Sequence, residues 1–169
     1  RDEALDADFR ARRAAGYQAF WEHMPLRGPP PRNWADVRIH ERFDFGDLAR
    51  FHVLDDRQYR ARQACQPEGR GGAGFVADCA ERLQPDRSLL GAAQEEWLQE
   101  GLSTSTARWN VLAQQTLRAQ LDRRPGPGTL FWTDGWDGYP AARRRLLDFI
   151  AARRPGNPLV IGGDVHSTW

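Results

Sequence analysis

The sequence contains no lysine: all 24 basic residues are arginine, and with 23 acidic residues the net charge is +1. A codon-biased, GC-rich genome explains this bias without a functional reason, although the planar fork of arginine also suits phosphate and carboxylate groups. The balanced charge argues against a basic nucleic-acid-binding surface and against an acidic tail. No apolar run approaches the roughly 18 residues of a membrane-spanning helix, so no membrane span is expected.

Cysteine is also scarce. Cys65 and Cys79 are the only two, and they lie on either side of a glycine-rich stretch. A lone pair at this spacing matches no standard zinc motif. Two states stay open from the residues alone. One is a disulfide, which would stabilise the fold by roughly 3 kcal/mol and imply an oxidising compartment. The other is a pair of buried thiols.

The length of 169 residues corresponds to one domain. The chain begins with Arg1 rather than Met and ends at Trp169, directly after a turn rich in metal-ligand residue types. We therefore expect a piece of a longer protein, with part of any functional site outside these residues.

Hydrophobic periodicity and turn residues predict an α/β fold, because the second half alternates strand, helix and strand. Helices are predicted over 2–23, 91–101, 104–121 and 140–154. Ser103 or Thr104 is the expected N-cap of the third helix. Strands are predicted over 37–45, 48–54, 129–133 and 159–161. The last strand is wholly apolar, which is typical of a strand buried on both faces.

A candidate metal site follows this last strand, in Gly-Gly-Asp-Val-His at 162–166. Asp164 and His166 are two residues apart, so an extended backbone would direct both side chains to the same side. A carboxylate suits a hard cation and an imidazole suits iron, zinc or copper. The alternative is a capped loop with a solvated Asp164 and a hydrogen-bonded His166.

Two further groups carry charge at predicted strand ends. Asp134 and Asp137 follow a short apolar strand, and neighbouring carboxylates bind a cation or share a proton. An Asp-Gly turn that caps the next helix is the commoner explanation. Arg57 and Arg60 follow the second strand and suit an anionic ester oxygen, although a salt-bridge network is commoner there.

Several kinds of site are not indicated. There is no P-loop, nucleophile elbow or dinucleotide fingerprint. No basic groove accompanies the aromatic residues, so single-stranded nucleic-acid binding has no support. His23, His40 and His52 have no ligand-like spacing and are predicted to be structural or surface residues.

Five segments, taken in order, resemble the PhoD-like family of alkaline phosphatases in the calcineurin-type metallophosphoesterase superfamily. They are YQAFWEHMPLR at 17–27, FGDLARF with LDDRQYR over 45–60, LGAAQEEWL at 90–98, WDGY at 136–139 and GDVHS at 163–167. The resemblance covers essentially the whole chain, 1–169. It implies the later half of a four-layered α-β-β-α sandwich.

The resemblance also implies an activity, which is hydrolysis of phosphate mono- and diesters with Fe³⁺ and Ca²⁺ as cofactors. It implies that Asp137, Asp164 and His166 are metal ligands, with Asp164 at a position where the superfamily usually has His. Asp134 is a weaker candidate ligand. Arg57 is implied as a catalytic residue that organises the phosphate site.

Family members are exported, so the resemblance implies an extracytoplasmic location, with the export signal outside this chain. An oxidising location in turn favours a disulfide between Cys65 and Cys79. The implied partner is a small phosphate ester.

The sequence also departs from the family pattern. The early Gly-Asp-Tyr and Asp-Asp-His-Glu segments, which supply further metal ligands, do not occur and are expected before Arg1. Asp56 stands where the family more often has Thr. We therefore expect activity from the full-length protein and none from this chain alone. The alternative function is a degenerate, non-catalytic domain with a binding or structural role.

Overall fold

Three α-helices and six strands form the described part of the computed structural model, which comprises residues 8–26, 28–67 and 72–166. The helices are α1 (Phe9–His23), α2 (Ala92–Thr104) and α3 (Pro140–Arg153). The strands are β1 (Glu41–Phe45), β2 (Ala49–Val53), β3 (Phe75–Val76), β4 (Trp109–Ala113), β5 (Phe131–Trp132) and β6 (Pro158–Ile161). None of the described helices is long and apolar enough to cross a membrane.

Four strands form one mixed sheet in the order β1-β2-β4-β6, and β3 pairs with β5 in a separate two-stranded sheet. The β1–β2 hairpin is antiparallel, with Gly46 at its turn in the left-handed region at φ 56°. In contrast, β2, β4 and β6 run parallel to one another. Their carboxyl ends therefore meet at one edge of the sheet, where binding sites of α/β proteins lie. The α/β prediction is confirmed.

The apolar core lies between this sheet and the helices α2 and α3. Its fully buried side chains come from the sheet, from both helices and from the loops between them. The core residues are Leu54, Leu89, Leu90, Leu98, Leu102, Leu112, Trp136, Tyr139, Ala142 and Leu146. Trp136 and Tyr139 belong to the loop that enters α3, so this loop is anchored by its own aromatic side chains.

The predicted helix over 104–121 is wrong. Thr104 is the last residue of α2, where its hydroxyl donates to the carbonyl of Glu100, so neither Ser103 nor Thr104 is an N-cap. Trp109–Ala113 is the strand β4 between β2 and β6, and its Val111 and Leu112 are buried. Burial in the sheet outweighs the helical periodicity of this short apolar run.

The last apolar run does form a strand, β6, but the expectation that it is buried on both faces is wrong for this chain. Among the described residues β6 pairs with β4 on one side only, and Leu159 and Ile161 are 45% and 46% exposed. The predictions for α1 and α3 are confirmed within the described residues, and residues 2–7 lie outside them. The expected strand over 129–133 shortens to the two residues of β5.

Candidate active site

The chain leaves β2 through a buried turn at Asp55. One oxygen of its carboxylate, Oδ1, accepts hydrogen bonds from the backbone N–H of Arg57 at 2.9 Å and of Gln58 at 3.0 Å. The backbone N–H of Asp55 donates to Oε1 of Gln94 on α2 at 2.8 Å. This side-chain-to-backbone pattern is typical of an Asx turn. It directs the partly exposed Arg57 away from the core towards the sheet edge.

Asp56 joins the end of β2 to the end of β4. Its Oδ2 accepts from the Thr116 hydroxyl at 3.0 Å and from the Gln115 N–H at 3.2 Å. The Asp56 N–H donates to Oε1 of Gln115 at 2.7 Å. Burial raises the pKa of Asp56 above its ordinary value, although these hydrogen bonds oppose the shift. We call Asp55, Asp56, Gln94, Gln115 and Thr116 the anchored side of the site.

Arg57 is the residue that connects the separate parts of this edge. Its Nη1 donates to Oδ2 of Asp134, and its Nη2 donates to Oδ2 of Asp164 at 2.9 Å. Asp134 also accepts from Gln63 and pairs with Arg60, both at 3.0 Å. Burial alone would raise the pKa of Asp134, but the Arg57 hydrogen bond and the Arg60 charge lower it below its ordinary value. Asp134 is therefore an ionised partner of the two arginines.

The turn after β6, residues 162–166, carries Asp164 and His166. A Cβ atom at Gly162 would lie 2.6 Å from the Thr116 carbonyl oxygen, so this close approach to the segment after β4 requires glycine. Asp164 and His166 have φ values of 66° and 57°. Their backbone is thus left-handed rather than extended as expected, a conformation that is uncommon for residues other than glycine. Both side chains are exposed.

Asp137 lies in a short 3₁₀ turn, Trp136–Gly138, and is only 8% exposed. Its Oδ1 accepts from Nη1 of Arg143 at 2.7 Å, and its Oδ2 accepts from the backbone N–H of Leu121 at 3.0 Å. Both carboxylate oxygens therefore have protein partners. Within residues 8–26, 28–67 and 72–166, no three His, Cys, Asp or Glu side chains gather closely enough to hold a metal ion.

An open pocket of about 500 Å³ brings these side chains together at the carboxyl ends of the parallel strands. The predicted site residues that line it are Arg57, Asp134, Asp137, Asp164 and His166. Phe75, Arg123 and Trp132 also line it and were not identified from the sequence. Phe75 and Trp132 lie on strands of two residues each, which are too short for a sequence periodicity to indicate them.

The structure joins Cys65 and Cys79 by a disulfide, with their Cα atoms 6.1 Å apart. The Cys65 N–H donates to Oε2 of Glu81 at 2.6 Å, so the same segment is held by a second contact. Cys65 precedes β3 and Cys79 follows it, so the crosslink closes a loop that contains β3 at the border of the pocket.

Comparison with known proteins decides the family. A family model described as PhoD-like phosphatase matches residues 1–169. The chain belongs to the PhoD-like phosphatase family. It is 44% identical over 161 residues to alkaline phosphatase D of Bacillus subtilis (strain 168), a match that covers 95% of this chain and 27% of that protein.

A solved structure, described as "Structure of PhoD", superposes on the chain with a TM-score of 0.84 and 44% identity. The match covers 95% of this chain and 30% of the solved one. The chain thus spans less than a third of the length of these PhoD-like relatives, and its mixed α/β structure corresponds to part of the PhoD fold.

Proposed function

We propose that the complete protein containing this chain hydrolyses phosphate mono- and diesters in a metal-dependent reaction. The chain contributes Arg57, Asp164 and His166 to the active site. The observation that carries the proposal is the shared pocket at the carboxyl ends of β2, β4 and β6, where side chains from three separate segments meet. Membership of the PhoD-like phosphatase family and the identity to alkaline phosphatase D support the same activity.

The donor types fit the proposed cofactors, Fe³⁺ and Ca²⁺. The Asp164 carboxylate is a ligand suited to a hard cation, and the His166 imidazole is suited to iron. Both side chains are exposed in the pocket. Because the described residues gather no three-ligand group, we expect the other ligands from parts of the protein beyond this chain. Bound metal ions supply Lewis-acid stabilisation of charge on phosphoryl oxygens.

Asp137 has a different role in this proposal. Arg143 and the Leu121 N–H already occupy its two oxygens, and the side chain is buried. Turning the Asp137 carboxylate towards a metal ion would leave the Arg143 guanidinium and the Leu121 N–H without this acceptor, which costs about 1–3 kcal/mol for each lost bond. We therefore assign Asp137 to holding the pocket wall and keep Asp164 and His166 as the metal ligands that this chain provides.

Arg57 binds and orients the phosphate group. A guanidinium forms paired hydrogen bonds to phosphate oxygens. The Arg57 guanidinium already donates to Asp134 through Nη1. Its other nitrogen, Nη2, donates to Asp164 at 2.9 Å. If Asp164 held a metal ion, Nη2 would be free to donate to a phosphoryl oxygen. One carboxylate would then link the position of Arg57 to the metal site.

The chain forms the later half of a four-layered α-β-β-α sandwich in this proposal. The exposed Leu159 and Ile161 of β6 are consistent with further strands supplied by the rest of the protein. The disulfide between Cys65 and Cys79 supports an extracytoplasmic location, because such bonds persist in oxidising compartments. The chain alone would not turn over substrate, since the remaining ligands are missing.

Hydrolysis of bis(p-nitrophenyl) phosphate and p-nitrophenyl phosphate by the complete protein tests the proposal. We expect release of p-nitrophenol that stops on chelation and returns when iron and calcium are added together. A folded, metal-loaded protein that hydrolyses neither ester would contradict the proposal and favour the non-catalytic alternative.

A further inference from the structure

The small sheet at the border of the pocket has two different faces. In its register Phe75 lies opposite Trp132, and Val76 lies opposite Phe131. Because successive side chains of a strand point to opposite faces, Phe75 and Trp132 share one face while Val76 and Phe131 share the other. The two faces therefore present different aromatic side chains to different surroundings.

The inner face is occupied by protein. Phe131 is 3% exposed, and the Arg82 guanidinium lies 4.1 Å from the centre of its ring. The outer face is open to the pocket. Phe75 and Trp132 are 57% and 39% exposed, with ring centres 4.8 Å apart and ring planes at 52°. Both rings line the pocket, and small-molecule pockets are lined predominantly by hydrophobic and aromatic side chains.

This aromatic pair is held in place before any ligand arrives. The Thr133 N–H donates to the Gly74 carbonyl at 3.1 Å, and the Gly74 N–H donates to the Thr133 hydroxyl at 3.0 Å. These bonds fix the residues next to Phe75 and Trp132 on each strand. The Cys65–Cys79 disulfide closes the loop that contains β3. A platform ordered in advance loses little conformational entropy when a ligand binds.

We propose that Phe75 and Trp132 form a subsite that binds an aromatic organic group of the phosphate ester. This inference rests on the proposed function. The two rings line the same pocket as Arg57 and His166, so an ester whose phosphate lies at Arg57 has its organic group within the reach of that pocket. The pocket volume of about 500 Å³ lies within the range of small-molecule sites and exceeds what a phosphate alone needs.

Binding of phenylphosphonate and methylphosphonate to the complete, metal-loaded protein tests the subsite by calorimetry. The two probes share one anionic head and differ in the organic group. We expect phenylphosphonate to bind about tenfold more tightly, as aromatic contacts of this kind permit. Phe75→Ala with Trp132→Ala should bring the two dissociation constants close together and leave methylphosphonate binding unchanged. Phe45→Ala, at an aromatic residue that is 68% exposed on β1, is the matched control.

The proposal is overturned if phenylphosphonate has no advantage, or if the advantage survives in the double variant. The advantage would survive in the double variant if another part of the complete protein covers the two rings, because the phenyl group would then be bound elsewhere. If the double variant fails to fold, Phe75→Leu and Trp132→Leu singly keep the apolar volume and should still reduce the advantage; no reduction in either overturns the subsite. Hydrolysis of methyl p-nitrophenyl phosphate is measured separately. Its absence contradicts the proposed function, whereas hydrolysis without an aromatic preference contradicts the subsite alone.

Discussion

The two sides of the pocket are built differently. On the anchored side, Asp55 and Asp56 are fully buried and hydrogen-bonded to backbone and side-chain groups of the neighbouring elements. The turn at 162–166 has an edge strand before it, two non-glycine residues with left-handed backbone and exposed candidate ligands. Arg57 contacts both sides, through the turn at Asp55 and through its ion pair with Asp164.

This difference separates side chains that the chain positions by itself from side chains whose position depends on other parts of the protein or on bound ions. Buried polar residues that share several hydrogen bonds with neighbouring elements define one geometry and are costly to disturb. Exposed side chains on the turn after β6 are positioned by few contacts among the described residues. The anchored side therefore positions Arg57 in advance. If Asp164 and His166 are metal ligands as proposed, they would reach their working geometry only with metal ions and the rest of the protein.

Removing Arg57 should break the connection between the two sides. Arg57→Ala in the complete protein should lower kcat/KM for bis(p-nitrophenyl) phosphate by about a hundredfold, the typical loss on removal of one preorganised charged donor. Arg144→Ala is the matched control, because this side chain on α3 is 80% exposed. Equal activity of both variants would remove Arg57 from the site.

Gln94→Ala tests how much the hydrogen bonds of the anchored side contribute to the free energy of unfolding. Gln94 is 2% exposed and binds the N–H and the carbonyl of Asp55 and the carbonyl of Leu90. The variant leaves buried backbone groups unpaired, so the free energy of unfolding should fall by about 4 kcal/mol. Urea denaturation measures this change against Glu96→Ala, an exposed position on the same helix. A loss below about 1 kcal/mol would contradict the account.

Removing the disulfide should weaken the border of the pocket more than its charged centre. Cys65→Ser with Cys79→Ser opens a loop with a separation of 14 residues. The expected loss is about 3 kcal/mol in the free energy of unfolding, measured by urea denaturation. Dithiothreitol should reproduce the loss in the wild-type protein and have no effect on the double variant. An unchanged stability would show that the crosslink does not constrain this segment.

The stability of the sheet beneath the anchored side should depend on pH through His52. This side chain of β2 is fully buried, and burial lowers its pKa from 6.5 to about 4. The unfolded chain therefore binds a proton at a higher pH than the folded chain does. Stability is complete above pH 6.5 and is lost as the pH falls towards 4, by about 2 kcal/mol at pH 5.

Urea denaturation of His52→Gln across this range measures the effect. The variant should lose most of the pH dependence between pH 6.5 and 4. His23→Gln, at the exposed end of α1, is the matched control and should keep the wild-type profile. A His52→Gln profile identical to that of the wild type would contradict the assignment.

The sequence predicts the elements whose signals are local. Pro140 indicates the start of α3, and Gly46 indicates the turn between β1 and β2. The motif over 162–166 indicates a turn after an apolar strand, and the structure has a turn there at the sheet edge. These features depend on a few neighbouring residues, so one sequence is sufficient to identify them. Metal binding by the turn over 162–166 stays a prediction.

The sequence does not indicate features that depend on residues distant along the chain. The sequence around β4 has helical spacing, and its strand conformation depends on pairing with β2 and β6. The contacts of Asp137 with Arg143 and Leu121 leave no spacing pattern in the sequence. The aromatic pair Phe75 and Trp132 lies on strands of two residues each, which are too short for a period-two pattern.

Metal analysis of the complete protein with His166→Ala tests the central claim most directly. We expect the purified variant to lose iron relative to the wild type while its folded fraction, measured by circular dichroism, stays the same. His23→Ala, at an exposed position on α1, should retain the metal. Unchanged iron in a folded His166→Ala protein would contradict the assignment of this turn to the metal site.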